Sequence, residues 1–490
     1  MQRAGLSRPC LYLPAFLIIW LAPSPVRGQA AYKTPVELQE TDIFGFGARA
    51  LGMGNAQVGL ADDPAAIFFN PAGLAQLRRG EVTAGLAHHA RERQTDHAGL
   101  LVVEDDHTRL GEVAFAFPMK THPRQERPVL TLGFGFHRWA DLDEVVGREG
   151  LLVAPTTGSP GLYEFESYSR RGAIDAWSTA VGFAVTPSIL IGGSLRLLTG
   201  NSTEDWTFAN YRAQDIDGDL YLDVGDPDNP DPRTFEQVTA READAWGVTG
   251  SIGFLVNAER RLRLGGVVDF PATLDWEGDS WFRLEDTEKI DSNFGSYPYH
   301  FHDDLTLPLT LSGGASLDLE IVTVSAGVRW TDYEQIDFEG DIVAPPDGTS
   351  LLPRPAYRDV LAWHLGAEAR LGPFRGRAGV FTDPLPYRLI AADADFTFVP
   401  DDGDPNTTSD ISIVARDYPD ANIVTDRYVL TVGAGLVLDQ VFSLDAAYAR
   451  EEWGRQTKFY ENSTTFYATL PTIENATDER LLFSATVRFR

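Results

Sequence analysis

Twelve residues, 215–226, place carboxylates at Asp215, Asp217, Asp219, Asp223 and Asp226, which are places one, three, five, nine and twelve of a calcium-binding loop. Oxygen donors so spaced suit a hard cation. The pattern is broken at place six, where Leu220 stands instead of glycine, and at place twelve, where an aspartate replaces the longer bidentate glutamate. A solvated acidic loop is therefore the favoured reading, with structural Ca2+ in that loop as its alternative and no other cofactor expected. The second set of reactive residues is cationic. Arg196, Arg263, Arg329, Arg377 and Arg488 each fall on the face opposite the more apolar residues of an alternating stretch. A guanidinium in a low-dielectric interior can receive a carboxylate through two parallel hydrogen bonds. The competing reading, which we favour, pairs these arginines with Glu37, Glu40, Asp62, Asp63, Asp269, Glu368 and Asp445, because a buried arginine needs a permanent partner. No G-x-S-x-G elbow and no H-E-x-x-H pair occurs, and the adjacent His88 and His89 take opposite faces of a strand, so an enzyme is not expected.

These residues need elements to position them. Period-two alternation gives fourteen candidate strands, at 80–91, 108–118, 128–139, 172–186, 188–200, 242–256, 261–276, 305–318, 320–336, 358–371, 374–384, 425–438, 441–456 and 480–490. An even number lets an antiparallel barrel close with both ends on one side. The last stretch puts Leu481, Phe483, Ala485, Val487 and Phe489 on one face, as a closing strand turned toward lipid would. Tight turns at Pro187, 257–260, 318–320, Gly372 and Asp439 alternate with long stretches rich in Asp, Asn, Gly and Pro at 140–171, 201–241, 277–304, 385–424 and 457–479. Short periplasmic turns against long external loops are the asymmetry of outer-membrane barrels. Trp139, Trp177, Trp246, Trp276, Trp330, Trp363 and Trp453 fall at one level near the outer end, where an interfacial aromatic girdle is expected. The predicted fold class is all-β, a 14-stranded antiparallel transmembrane β-barrel at residues 80–490.

At the amino terminus Arg3 and Arg8 precede an apolar run at 11–22, and small residues follow at Val26, Gly28 and Ala30, the layout of a cleaved secretory signal at residues 1–29. The run is shorter than the roughly 20 residues of a spanning helix. Cleavage would remove Cys10, the sole cysteine, and with it any thiol for a disulfide or a cysteine-based zinc site. The net charge of -30 excludes nucleic acid as a partner, since its phosphates would be repelled. The expected location is the outer membrane of a Gram-negative bacterium, in contact with outer-membrane lipid.

Between the signal and the first strand, residues 30–79 are too few to fold well alone and must pack on something. The glycines of 45–54 read as close backbone packing, because a GxGxxG here lacks the preceding strand of a dinucleotide site. The stretch DDPAAIFFNPAGLA at 62–75, together with the hairpin-like stretches 246–278 and 305–333, resembles the FadL family of outer-membrane transporters for long-chain fatty acids and other hydrophobic compounds, which includes the TodX-type aromatic hydrocarbon channels. The resemblance covers essentially the whole mature chain. It implies a hatch at 30–79 inside the lumen with Asn70, Pro71 and Ala72 at its gate, and a hydrophobic small-molecule ligand. It also implies passive transport with lateral release through the wall at a kink in the third strand, which Gly133 and Gly135 would permit. Under that implication Arg196, Arg263, Arg329 and Arg377 are the candidates for a fatty acid carboxylate. Two features depart from the family's pattern. The chain ends Phe489-Arg490 instead of on an aromatic residue, and GARALGMGNA at 47–56 also resembles FadL-like barrels used by secretion systems. The alternative function is thus a structural or shuttle component of a protein secretion system.

Overall fold

The computed structural model describes residues 46–96, 100–119, 129–153, 161–214, 223–224, 233–258, 261–286, 293–335, 338–340, 359–384, 397–400, 411–414, 427–457 and 472–489. Fourteen strands form the wall. They are β1 Gly80–Asp96, β2 Leu100–Met119, β3 Leu130–Asp141 continued by Glu144–Val153, β4 Gly161–Ala184, β5 Ile189–Gln214, β6 Arg233–Asn257 and β7 Leu262–Asp269 continued by Ala272–Asp286. The ring goes on through β8 Asn293–Leu307 continued by Thr310–Asp318, β9 Val322–Thr331 continued by Phe338–Gly340, β10 Val360–Leu371, β11 Phe374–Thr382, β12 Tyr428–Leu438, β13 Phe442–Thr457 and β14 Thr472–Phe489. Each strand pairs antiparallel with the next. The pairing of β14 with β1, from Gly80↔Phe489 to Asp96↔Ile473, closes the barrel. No described helix is long and apolar enough to cross a membrane.

Alternation decides the two faces. On β14 the outward Phe483, Val487 and Phe489 are exposed, while Leu482, Ser484 and Thr486 point inward and are buried. The same outward parity exposes Phe115, Phe134, Ile191, Ile252 and Leu430 on other strands. The wall is taller than alternation predicts. β4, β5 and β6 continue through much of 140–171 and 201–241, and β7 and β8 through much of 277–304, all read from sequence as loop. Those upper segments carry polar residues on both faces, as where Asn201, Thr203 and Glu204 stand opposite Asp244, Glu242 and Arg241, together with the buried Tyr168, Phe208 and Phe301. They carry no period-two signal, yet the backbone ladder forms without one. The tryptophans also divide. Trp177 and Trp246 face outward and are 54% and 57% exposed, but Trp276 and Trp453 are buried on the inner face, so the seven do not form one external girdle.

Local breaks have local causes. β7 is interrupted at Phe270 and Pro271 and β8 at Pro308 and Leu309, where proline supplies no N–H to the ladder. At the turn end Gly372 has φ +65°, a conformation that glycine adopts without strain.

Residues 46–79 lie within the ring. They contain α1 Ala48–Gly52, α2 Ala66–Phe69 and a 3-10 turn Pro71–Gln76. Their contacts reach every side of the wall. Ala48 N–H donates to Ser484 Oγ on β14, Asn70 Nδ2 to Phe254 O on β6, Ser316 Oγ of β8 to Gly59 O, Ser325 Oγ of β9 to Ala56 O, and His364 Nδ1 of β10 lies 3.0 Å from Gly54 O. Residues 1–45, which include the signal expected at 1–29 and the first part of the hatch expected at 30–79, lie outside the described residues.

Candidate functional site

Asn70 ties the amino-terminal segment to the wall. Its backbone is extended, as the residue before a proline must be, and its side-chain oxygen accepts from Ala72 N–H at 3.2 Å, capping the 3-10 turn that Pro71 begins. The amide nitrogen donates to Val58 O at 2.8 Å and to Phe254 O at 3.0 Å, and the residue is fully buried. The turn can sit so close because the facing wall has no side chain there. A Cβ at Gly192 would lie 2.3 Å from the Pro71 carbonyl carbon, and one at Gly253 would lie 2.2 Å from Asn70 Oδ1. On the opposite flank Arg49 donates to Asp62, Asp63 and Glu368 at 2.7, 2.8 and 3.2 Å. Burial alone would push the Asp62 carboxyl up, but the guanidiniums of Arg49 and Arg263 outweigh it and hold the group at about 2.

The candidate arginines separate into two kinds. Arg196 donates to Asp269 at 2.8 Å and to Phe68 O and Ser251 Oγ at 3.2 Å. Arg263 donates to Asp62, Leu60 O and Gln76, and Arg377 bridges Glu368 at 2.8 Å and Asp445 at 2.7 Å. Arg488 lies 3.3 Å from Glu81. Arg329 differs, having no hydrogen bond or ion pair among the described residues. It is half-buried and lines an internal cavity of about 310 Å³, walled on the apolar side by Phe46, Phe68, Phe69, Leu305 and Leu307. That volume is at the lower end of the roughly 300–1,000 Å³ typical of small-molecule pockets. The ring of Phe68 packs 3.9 Å from Phe46 and 4.0 Å from His137, centroid to centroid, and through Phe46, Phe68 and Phe69 the segment inside the ring supplies part of the cavity's lining.

The third strand is irregular, but not at its glycines. Gly133 and Gly135 lie in continuous ladder, paired with Ala116 and Ala114, and make room for Ile67, Leu74 and Phe68. The irregularity comes later, at a register shift between Arg138 and Ala140 and a break at Leu142 and Asp143. The β2–β3 ladder ends at Glu112↔His137, and above it residues 100–111 of β2 share no backbone pairing with the Glu144–Val153 half of β3 among the described residues. Side chains bridge this seam instead. Arg109 binds Asp143, Arg171 donates to Asp105 at 2.6 Å, and His107 Nε2 lies 2.6 Å from Asp141 Oδ2. Of the adjacent histidines, His89 points inward and is buried, while His88 lies beside Thr108. Sequence reasoning missed the meeting of His89, His107 and Asp141, although the inward parity of His89 was the one available signal.

Of the acidic loop, Asp215, Asp217, Asp219 and Asp226 lie outside the described residues, and Asp223 opens a two-residue strand, Asp223–Val224, paired with Ala213 and Gln214.

No protein-family model matches the sequence, and no curated protein does. Solved structures do match. A Pseudomonas aeruginosa FadL homologue superposes with a TM-score of 0.60 at 13% identity over 92% of this chain and 98% of that one. The P. putida toluene transporter TodX gives 0.60 at 12% over 92% and 100%, and the CymD monoaromatic hydrocarbon channel 0.53 at 15% over 92% and 99%. At such identities the likeness is one of architecture. The closed ring of fourteen antiparallel strands gives this chain the barrel fold shared by the FadL homologue and TodX.

Proposed function

We propose that the protein is an outer-membrane channel for hydrophobic small molecules, which enter the internal cavity and leave sideways through the seam between β2 and β3. The observation that carries this reading is the cavity, where aromatic and aliphatic side chains surround a guanidinium, Arg329, that has no described partner. Such a site needs no catalytic group, only apolar volume, a polar point of orientation and a route. The belt of exposed apolar side chains outside the barrel supports a membrane location, since lipid is the solvent that such a surface requires. The end of the β2–β3 ladder supports the exit, because only side chains need move there. Arg329 makes amphiphiles with a carboxylate the preferred ligands over plain hydrocarbons.

Binding to the purified barrel tests the proposal, using octanoate, decanoate and dodecanoate beside the corresponding alcohols. Each methylene buried contributes about 0.8 kcal/mol, so affinity in both series should rise about fourfold per carbon until the cavity is full. Absence of binding in both series, or affinity independent of chain length, would sink the transport reading and favour a scaffold role.

A further inference from the structure

The side chains at the upper seam make an arrangement that transport does not require. His89 on β1 and His107 on β2 stand directly opposite in the ladder, both turned inward, with ring centroids 5.4 Å apart. Asp141, at the end of the first half of β3, projects between them. Its Oδ2 is 2.6 Å from His107 Nε2 and 3.9 Å from His89 Nδ1. We propose that His89, His107 and Asp141 bind a divalent transition cation of the zinc class, with a further coordination position open to the cavity that all three line.

Three observations carry this. First, the donor set is of the kind zinc takes, two imidazoles and one carboxylate. Bonds of about 2.0–2.1 Å at tetrahedral angles put ligand atoms about 3.3 Å apart. The observed separations from Asp141 lie on either side of that value, so small side-chain rotations suffice.

Second, the far nitrogen of each ring faces a carboxylate. His89 Nε2 is 3.5 Å from Asp478 Oδ1, and His107 Nδ1 is 3.5 Å from Asp143 Oδ2. Metal-bound histidines characteristically donate their other N–H to such a group, which fixes tautomer and ring orientation. The carboxylates are themselves fixed, Asp478 by Arg91 and Asp143 by Arg109.

Third, those same two far nitrogens are buried without a hydrogen-bond partner among the described residues. With the neutral imidazole's single proton on Nε2, toward Asp141, His107 Nδ1 has no proton to donate to Asp143. A cation on Nε2 takes that proton's place and leaves Nδ1–H directed at Asp143, and His89 is oriented in the same way toward Asp478. The site joins β1, β2 and β3 where the β2–β3 backbone ladder has stopped, so the bound cation pins the seam.

The test uses the full chain with Cys10→Ser, refolded in detergent, stripped with chelator and titrated with Zn2+ against a chromophoric chelator, then with Co2+ for its visible absorption. One tight equivalent is expected. His89→Ala and Asp141→Asn should each weaken binding at least tenfold while the barrel keeps its heat-modifiable mobility. His88→Ala on the neighbouring position, and His302→Ala in the exposed Asp275–His302–Asp304 group, should leave it unchanged. If Asp141→Asn fails to fold, His89→Ala decides alone. Substoichiometric binding, binding abolished by His302→Ala, or binding indifferent to His89→Ala would each overturn the assignment. The titration does not depend on transport, so its outcome stands apart from that of the ligand-binding experiment.

Discussion

Arg329 and Arg196 share an inward parity but not an environment, and substitution should separate them. Arg329 has no described partner, so Arg329→Ala removes no hydrogen bond or ion pair among the described residues. A hydrogen bond to a charged group is worth about 1.5–3 kcal/mol, and dodecanoate should bind about tenfold or more weakly while dodecanol is unaffected. Arg196→Ala instead abandons Asp269 and the carbonyl of Phe68, and should weaken acid and alcohol alike through the cavity wall. Titration calorimetry with both ligands distinguishes the two, and equal losses for Arg329→Ala would remove its role in recognition. Asn70→Ala acts on another target. It deletes two donated hydrogen bonds and the cap on the 3-10 turn, about 1–3 kcal/mol of local stability, with the barrel ladder untouched. Heat-modifiable mobility should stay normal while uptake of a hydrophobic probe changes, and unchanged uptake at equal expression would deny this segment a gating role.

At the scale of elements, the segment inside the ring is held on one flank by charge. Asp62 sits at about 2, below its ordinary 3.8, because Arg49 and Arg263 overcome the effect of burial. A depressed carboxyl contributes stability that is complete above its unfolded value and is lost as pH falls toward and through the folded one. Protease protection of residues 46–79 should therefore be constant from neutrality to about pH 5 and decline below about pH 4. Asp62→Asn should reduce protection at neutral pH and flatten that decline. A wild-type profile flat to pH 2, or a variant profile as steep as wild type, would show that the flank is held by packing instead.

At the scale of the whole molecule, the outer belt decides what solvent the barrel needs. Ile252 is 58% exposed on the outer face of β6. On a water-exposed surface Ile252→Arg would be nearly neutral, but at a bilayer midplane arginine costs about 2–4 kcal/mol. Folding yield into lipid vesicles should fall accordingly, read as the fraction with heat-modifiable mobility. The same variant in detergent micelles should fold nearly as wild type, and equal yields in vesicles would refute a membrane-embedded β6.

The sequence by itself determined the ring. Alternation is a property of one strand between two solvents, so fourteen strands, their tight turns and the outward parity of Phe483, Val487 and Phe489 were legible locally. Only the tertiary structure decided what each inward side chain meets, because parity names a face and says nothing of the register across it. Thus Trp276 and Trp453 proved internal, and Arg196, Arg263 and Arg377 found acids where Arg329 has none among the described residues. The break in β3 lies at Leu142 and Asp143, beyond the glycines whose type had suggested it, since Gly133 and Gly135 make room for Ile67, Leu74 and Phe68. His89, His107 and Asp141 come from three strands and meet only because β1, β2 and β3 are adjacent in a closed barrel, a contact that no local pattern encodes.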